Sequence, residues 1–475
     1  MNNLFEYQNK IQLSESADGL EEFLENIWEK REKGRWYDET ASEAEETQQF
    51  IQFLHKTSEL RSQKYVGVIH FDNTRINLLP KILYDKGRDY TEDDVLAIQY
   101  HILWWLSYCR KIKFPSYKTS LEGHKSDFFE VLIYLFARYT LELLSNAIYQ
   151  QYDEVDEELS YIKGRLNVQQ YITENLSRGR WHKLSCSHDP VCMDNKFNRI
   201  VKYVTGMLLC VTKNNDNTRL LQEILVILDE VEDCTATAED CASIRFNIYH
   251  EDFQTVKDYC YLFLNNSIAY GYKNDLKLFA FLLPMDYLFE DFLVGFIDRE
   301  IDGVKVTSQN AEKTLDTERT FTIKPDMILS YKSTRLIADA KYKIIYAKPD
   351  DPHKGISQSD LYQMLAYAVR FEIDQVWLFY PGTIMSDADK NVKIIIEDEF
   401  AGKKKVTIRA LQVPIINQAL FTQQHNEDTK LSDIFANTRQ ELADTLDGWF
   451  RQSAYPGDIP WNGTKCLDRD MEDFV

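Results

Sequence analysis

The stretch Phe321-Thr-Ile-Lys-Pro-Asp-Met-Ile-Leu-Ser-Tyr331, the polar break Lys332-Ser-Thr334 and the stretch Arg335-Leu-Ile-Ala-Asp-Ala-Lys-Tyr-Lys-Ile-Ile345 read together as a β-hairpin. Side chains two apart on a strand share a face. Ile337, Asp339 and Lys341 therefore point one way, and Leu336, Ala338, Ala340 and Tyr342 the other. One face is apolar and packs; the other carries a carboxylate and an ammonium. Pairing of the two strands can bring Asp326 beside Asp339. Carboxylates that close repel unless a divalent cation sits between them, and magnesium is the natural occupant, with manganese able to substitute. Such a metal polarises a phosphate and lowers the pKa of bound water, and Lys341 is placed to orient that water or steady the developing charge. The pattern points to phosphodiester hydrolysis.

A bare Asp-x-Lys on a strand is common by chance, so the flanking elements decide. Downstream, Ser357-Gln-Ser-Asp360 resembles a capping box that opens a helix, and Gln363 and Tyr367 lie one turn apart on it. Upstream, a largely helical run over residues 276–301, kinked at Pro284, buries Phe281, Leu282, Met285, Phe289, Phe292 and Phe296 and carries Glu290 amid them. After the Gln363 helix, Gln375-Val-Trp-Leu-Phe-Tyr-Pro381 is a continuous apolar run of the length of a central buried strand. Val392-Lys-Ile-Ile-Ile-Glu-Asp and Lys405-Val-Thr-Ile-Arg-Ala-Leu-Gln-Val413 extend that sheet, and residues 433–450 supply a closing helix. The basic run Lys403-Lys404-Lys405 follows Gly402 and reads as a hairpin turn rather than a phosphate contact.

This order of elements resembles the core of the PD-(D/E)XK nucleases: a helix with Glu, a strand with Pro-Asp, a strand with Asp-x-Lys, a helix with Gln-x-x-x-Tyr and a strand. The Gln-x-x-x-Tyr helix is similar to the RecB-type branch, which implies metal-dependent DNA cleavage. The resemblance makes Asp326 and Asp339 metal ligands and Lys341 the catalytic lysine. It makes Glu290 a further metal or water ligand, with Gln363 and Tyr367 supporting the substrate or the site.

At 475 residues the chain is long enough for two or three domains. Its 44% hydrophobic, 13% aromatic and 28% charged residues are those of a globular protein, and 11 Pro and 17 Gly leave little room for long linkers. No apolar run approaches the roughly 18 residues that span a bilayer, and Met-Asn-Asn-Leu-Phe-Glu lacks the features of a secretory leader, so a cytoplasmic protein without membrane contact is expected. Eight scattered cysteines, without paired spacing, are expected to be reduced thiols. His182, Cys186, His188 and Cys192 offer zinc-ligating side chains, but not at the spacing of a common finger, and buried thiols with surface histidines are the plainer reading. With no Gly-x-x-x-x-Gly-Lys-[Ser/Thr] loop, the chain is expected to bind no nucleotide. Its net charge of −21 disfavours tight binding to bare DNA, because that affinity comes from cations that release counterions from phosphates.

The expected organisation is a charged lead-in and helix over residues 1–60, the helix passing through Phe50, Ile51, Phe53 and Leu54. A β-containing region follows over 61–125 with a hairpin at 64–81, then a mostly helical middle domain over 126–268, and the nuclease domain over 269–475. Tyr65-Val-Gly-Val-Ile, Ile76-Asn-Leu-Leu-Pro-Lys81, Gly164-Arg-Leu166 and Asp194-Asn-Lys-Phe-Asn-Arg-Ile200, all ahead of the nuclease motifs, are similar to the McrC family of nuclease subunits. That resemblance covers residues 60–385 and implies an α+β multidomain fold, a β-hairpin and helical region followed by an α/β core with a mixed central sheet.

It also implies a partner, an McrB-like AAA+ GTPase ring that recognises methylated or specific double-stranded DNA, whose hydrolysis this chain would stimulate. Arg165, Asn198 and Arg199 are the candidates for meeting that partner, against a role in satisfying loop backbone. Two other readings compete: a RecB-like nuclease acting alone or with a helicase, and a non-catalytic bridging subunit. The intact Asp326, Asp339 and Lys341 speak against the second of these.

Overall fold

The computed structural model describes residues 2–12, 51–54, 59–71, 74–110, 128–152, 154–271, 277–308, 313–314, 318, 320–345, 353, 355–385, 392–398, 404–422 and 431–454. The chain divides into two compact units, residues 1–129 with 270–475, and residues 130–269. The first is discontinuous in sequence, so the region before residue 125 and the C-terminal part do not pack as separate domains.

In the first unit β1 (Asn2–Phe5), β2 (Tyr65–Phe71), β3 (Thr74–Leu79) and β4 (Lys277–Pro284) share a sheet in the order β1-β3-β2-β4. The hairpin of β2 and β3 forms as its alternation predicts. Two expectations fail here. The apolar run before Pro284 is strand, not helix, because β2 supplies a full antiparallel partner from Leu278 opposite Phe71 to Pro284 opposite Tyr65. Pro284 does not kink a helix; it ends β4 and precedes the helix that starts at Met285, at a position where its missing N–H removes no helical hydrogen bond. Gly67 has φ +144°, and a Cβ there would lie 1.9 Å from the Phe281 carbonyl oxygen, so the close approach of β2 and β4 requires glycine.

The second failure is at the N-terminus. Asn2–Phe5 is not a solvated lead-in but runs parallel to β3, and Ile51–Leu54 is a strand in a small sheet with Ile11–Gln12 and Glu59–Ser62. Residues 13–50 lie outside the described residues.

Helix α1 (Glu92–Tyr108) packs on α2 (Met285–Glu300) through Trp104 against Phe292, ring centroids 5.2 Å apart, and Tyr108 against Phe296. A Cβ on Gly295 would lie 1.8 Å from the Tyr108 carbonyl oxygen, so glycine lets the two backbones meet. From α2 the chain enters a six-stranded mixed sheet. Its strands are β5 (Val304–Ser308), β6 (Met327–Tyr331), β7 (Thr334–Ala340), β8 (Gln375–Pro381), β9 (Val392–Asp398) and β10 (Lys404–Val413), in the order β5-β6-β7-β8-β10-β9. β7, β8 and β10 are parallel to one another; the other pairs are antiparallel. The turn between β6 and β7 is Lys332-Ser333, with Lys332 at φ +53°. Lys404 and Lys405 belong to β10, and Lys403 lies outside the described residues.

Helices cover both faces of this sheet. Helix α3 (Gln358–Phe371) sets Met364, Tyr367 and Ala368 on Ile337, Val376, Leu378 and Tyr380. Helix α4 (Ala436–Ala454) sets Trp449 and Phe450 on Trp377, Phe379 and Tyr331. The residues of β8 thus divide between the two faces by the period of two, each large side chain contributing about 1.5–3 kcal/mol of burial. Accordingly the middle of β7 has no solvent face: Leu336, Ile337, Ala338 and Asp339 are all buried, while Arg335 is exposed.

The second unit holds the helices Lys196–Val211, Asn215–Ile227, Ala238–Ser243 and Asp252–Asn266. It is less purely helical than its sequence suggests. Val155–Leu159, Arg165–Leu166 and Leu184–His188 form a three-stranded antiparallel sheet inside the region expected to be mostly helical; these short polar segments show no marked alternation. Among the described residues no helix is long and apolar enough to cross a membrane.

Candidate active site

The polar residues singled out in the hairpin meet where β6 begins and β7 ends. Met327 pairs with Ala338, so Asp326, one residue earlier, falls opposite Asp339. The Ala340 N–H donates to Asp326 Oδ2 at 2.8 Å and sets that carboxylate's orientation. Lys341 Nζ lies 2.7 Å from Asp339 Oδ2 and donates to Gln363 Oε1 at 3.1 Å. Gln363 Nε2 donates to the Tyr367 hydroxyl at 2.8 Å, and that hydroxyl donates to the Lys324 carbonyl at 3.1 Å. A chain of polar contacts therefore runs from Lys341 through α3 back to the segment that carries Asp326.

Glu290 is buried on α2, and its charge is felt at both aspartates. Desolvation pushes the Asp326 carboxyl well above the usual carboxylate range, with the charges of Asp339 and Glu290 adding to it. Desolvation also raises Asp339, partly offset by Lys341. The ammonium of Lys341 is held above its ordinary value, because Asp339 and Asp326 outweigh the cost of its burial. Burial pushes the Tyr367 hydroxyl up to about 12, so it stays protonated as a donor. Asp339 and Asp326 thus share the Lys341 ammonium, and Glu290 adds a further negative charge that both aspartates feel.

Among the described residues no three His, Cys, Asp or Glu side chains form a ready-made metal cage. The donor chemistry nonetheless fits a hard divalent cation: carboxylate oxygens side by side, repelling one another, with Asp326 partly accessible.

Some features were missed in the sequence. Asp360 does not close a capping box; Ser357 makes no side-chain cap hydrogen bond, and buried Asp360 instead accepts both oxygens' worth of contact from Lys343 Nζ, at 2.9 and 2.8 Å. Lys343, two residues past Lys341, was the available signal.

The other sequence candidates lie in the second unit. Asn198 is fully buried, and its amide donates to the carbonyls of Tyr149 and Met193 at 2.8 and 2.7 Å, which rules it out as a surface contact. Arg199 is gripped by Asp194 through two hydrogen bonds and pairs with Glu232 at 3.0 Å. Arg165 is well exposed, 3.7 Å from Glu154. Of the zinc candidates, Cys186 is buried, His188 faces Glu157 at 3.0 Å and Cys192 donates to the Asp194 carbonyl. His188 is therefore not the surface histidine expected. The described cysteines are free thiols.

A family model described as "McrBC 5-methylcytosine restriction system component" matches residues 60–381. The chain belongs to this family. That match spans both the hairpin of β2 and β3 and the site built by β6, β7 and α3. Among solved structures, the McrBC-family chain is similar to one in a refined half-complex from a tetradecameric assembly of Thermococcus gammatolerans McrB AAA+ hexamers with bound McrC. The TM-score is 0.61 at 18% identity, over 93% of this chain and 99% of that one. A second match, in a cryo-EM structure of the Thermococcus gammatolerans McrBC complex, has a TM-score of 0.47 at 18% identity, over 63% of this chain and 87% of that one. No curated protein matches the chain.

Proposed function

We propose that this McrBC-family chain is the DNA-cutting subunit of its restriction system, a metal-dependent deoxyribonuclease of PD-(D/E)XK type. The observation that carries the reading is the apposition of Asp326 and Asp339, with Lys341 ion-paired to Asp339 and held by Gln363. Asp326 and Asp339, with Glu290, would hold magnesium, and manganese could take its place. The bound ion would polarise the scissile phosphodiester and lower the pKa of a water. Lys341 keeps its proton and places a positive charge where negative charge develops on the phosphate, or orients the attacking water. Gln363 and Tyr367 restrict the ammonium to that place. No nucleotide site is assigned to this chain.

The net charge of −21 argues that a partner grips the DNA. McrB AAA+ hexamers are named in the similar complex, and we infer a corresponding ring as this chain's partner, a GTPase that would read methylated or specific double-stranded DNA in the cytoplasm and be stimulated by this chain. Exposed Arg165 remains a candidate contact for that ring.

Asp339→Ala tests the reading. Cleavage in magnesium is expected to be abolished while the fold and the stimulation of a partner GTPase persist; cutting at the wild-type rate would refute the assignment. The isolated chain is also expected to bind duplex DNA weakly at physiological salt, and tight binding in a filter or anisotropy assay would remove the need for a partner's grip.

A further inference from the structure

We propose that Glu6 and Lys81 are positioning residues for Lys341, acting through Tyr342. The inference rests on the nuclease reading of the site, and it concerns how the ammonium is held rather than what it does.

Strand β7 ends at Ala340, and the Lys341 N–H makes its last sheet-like bond, to the Phe379 carbonyl at 2.8 Å. Beyond it the backbone leaves the ladder, and the Lys343 N–H turns back to the Lys341 carbonyl at 2.7 Å. The backbone just past Lys341 has no ladder to fix it. Tyr342 replaces that structure. Its hydroxyl donates to Glu6 Oε2 at 2.9 Å, and its carbonyl accepts from Lys81 Nζ at 2.8 Å. The same ammonium lies 4.2 Å from the centre of the Tyr342 ring. Glu6 Oε2 also accepts the Lys81 N–H at 3.2 Å, so the two holding residues are tied to each other.

The holders are themselves anchored. Glu6 follows β1, and its N–H donates to the Leu79 carbonyl at 3.0 Å; Phe5 beside it packs on Tyr84 and Tyr90. Glu6 and Tyr342 are almost wholly buried. Such a cluster is a poor device for stability, since Glu6 Oε1 is buried without a hydrogen-bond partner and burial raises the Glu6 carboxyl to about 7. An apolar trio would pack there at less cost. What the cluster adds is direction: it fixes carbonyl and phenol of the residue next to Lys341, while Lys343 is fixed by Asp360 on the other side.

The test compares cleavage by the full chain with its partner ring for wild type, Lys81→Met, Tyr342→Phe, Glu6→Leu and Glu6→Gln, with Asp339→Ala as the inactive reference. Displacing a reacting group by about an ångström costs up to ~100-fold in rate. Lys81→Met and Glu6→Leu are therefore expected to lower kcat by roughly 10- to 100-fold, with KM for DNA and the magnesium midpoint unchanged within about twofold. Glu6→Gln keeps an acceptor oxygen and is expected to restore kcat to within about threefold. Tyr342→Phe keeps the ring and the packing, so it stays informative if Glu6→Leu fails to fold; a loss of about 3- to 10-fold is expected. Amide exchange over residues 341–345 should quicken in Lys81→Met without loss of melting temperature. Wild-type kcat in both Lys81→Met and Tyr342→Phe, with Asp339→Ala dead, would overturn the inference and leave the nuclease reading standing. Cutting by Asp339→Ala would remove that reading and the inference with it.

Discussion

Two polar clusters stand out in this chain, and they are built on opposite principles. Around Asp194 in the second unit, each charge faces an opposite one: Arg199 brackets the carboxylate with two hydrogen bonds and holds it below the usual range, while Glu232 takes the other side of the guanidinium. Around Asp326 in the first unit, like charges are buried together and both aspartates are pushed up. The first arrangement needs nothing more. In the second, Lys341 offsets only part of the buried negative charge, which supports the proposal that a cation joins the cluster at residues 326–341, while the one at 194–199 is a scaffold.

That contrast can be broken most sharply at Asp326. Asp326→Asn is expected to lower magnesium-dependent cleavage by about 10³-fold or more, yet to raise the melting temperature of the metal-free protein by roughly 2 °C, because its repulsion with Asp339 and Glu290 is removed while the Lys341–Asp339 ion pair is kept. A fall in melting temperature would mean that the cluster is no more strained than Asp194. The reverse profile is expected for Asn198→Ala. Removing the Asn198 bonds to the Tyr149 and Met193 carbonyls, which Asn195 Nδ2 also reaches at 3.1 Å, should cost about 0.5–1.5 kcal/mol of stability in denaturant titration, with cleavage per folded molecule unchanged.

Next in size is the pH dependence. Groups with raised carboxyl pKa values bind protons more tightly when folded, so Asp326 and Asp339 cost stability as pH rises from the unfolded carboxylate value through their folded values. Asp194 has the opposite sign: its contribution is present above the unfolded value and is lost as pH falls through its lowered folded value. Melting curves of wild type and Asp326→Asn should therefore diverge as pH rises, and magnesium should close the gap from the wild-type side only. Parallel curves would refute the claim of repulsion. The smallest effect is expected for Tyr367→Phe, which removes the link between Gln363 and the Lys324 carbonyl. Its kcat should drop by about 3- to 10-fold with the magnesium midpoint unmoved; a shift in that midpoint would make Tyr367 part of the metal site.

How much of this was legible follows from how far apart the interacting residues lie in the chain. The hairpin, the pairing of Asp326 with Asp339, and the helix that carries Gln363 and Tyr367 all depend on neighbours a few residues away or on one short turn, so alternation and helical spacing reveal them. The apolar run over residues 277–284 was misread because periodicity does not separate a buried strand from a buried helix. Its partner, Tyr65–Phe71, lies some two hundred residues upstream. Asp360 looked like a cap because the local pattern allowed it, and only the approach of Lys343 gave it another use. Glu6 could have been noticed as a lone acid behind the apolar Leu4-Phe5, but nothing near it in sequence says that it meets Tyr342.

The sequence by itself determined the chemical identities at the site, the strand and helix periods that bring them to common faces, and the excess of negative charge that argues for a partner. Tertiary structure alone decided that the carboxylate face of β7 is covered by α3, that the start of the chain lies against Tyr342, and that Asn198 is spent inside its own unit. The physical reason is range. Backbone geometry dictates contacts between residues a few positions apart, whereas burial, desolvation and the raised carboxyls at Asp326 and Asp339 arise only when distant segments close around them.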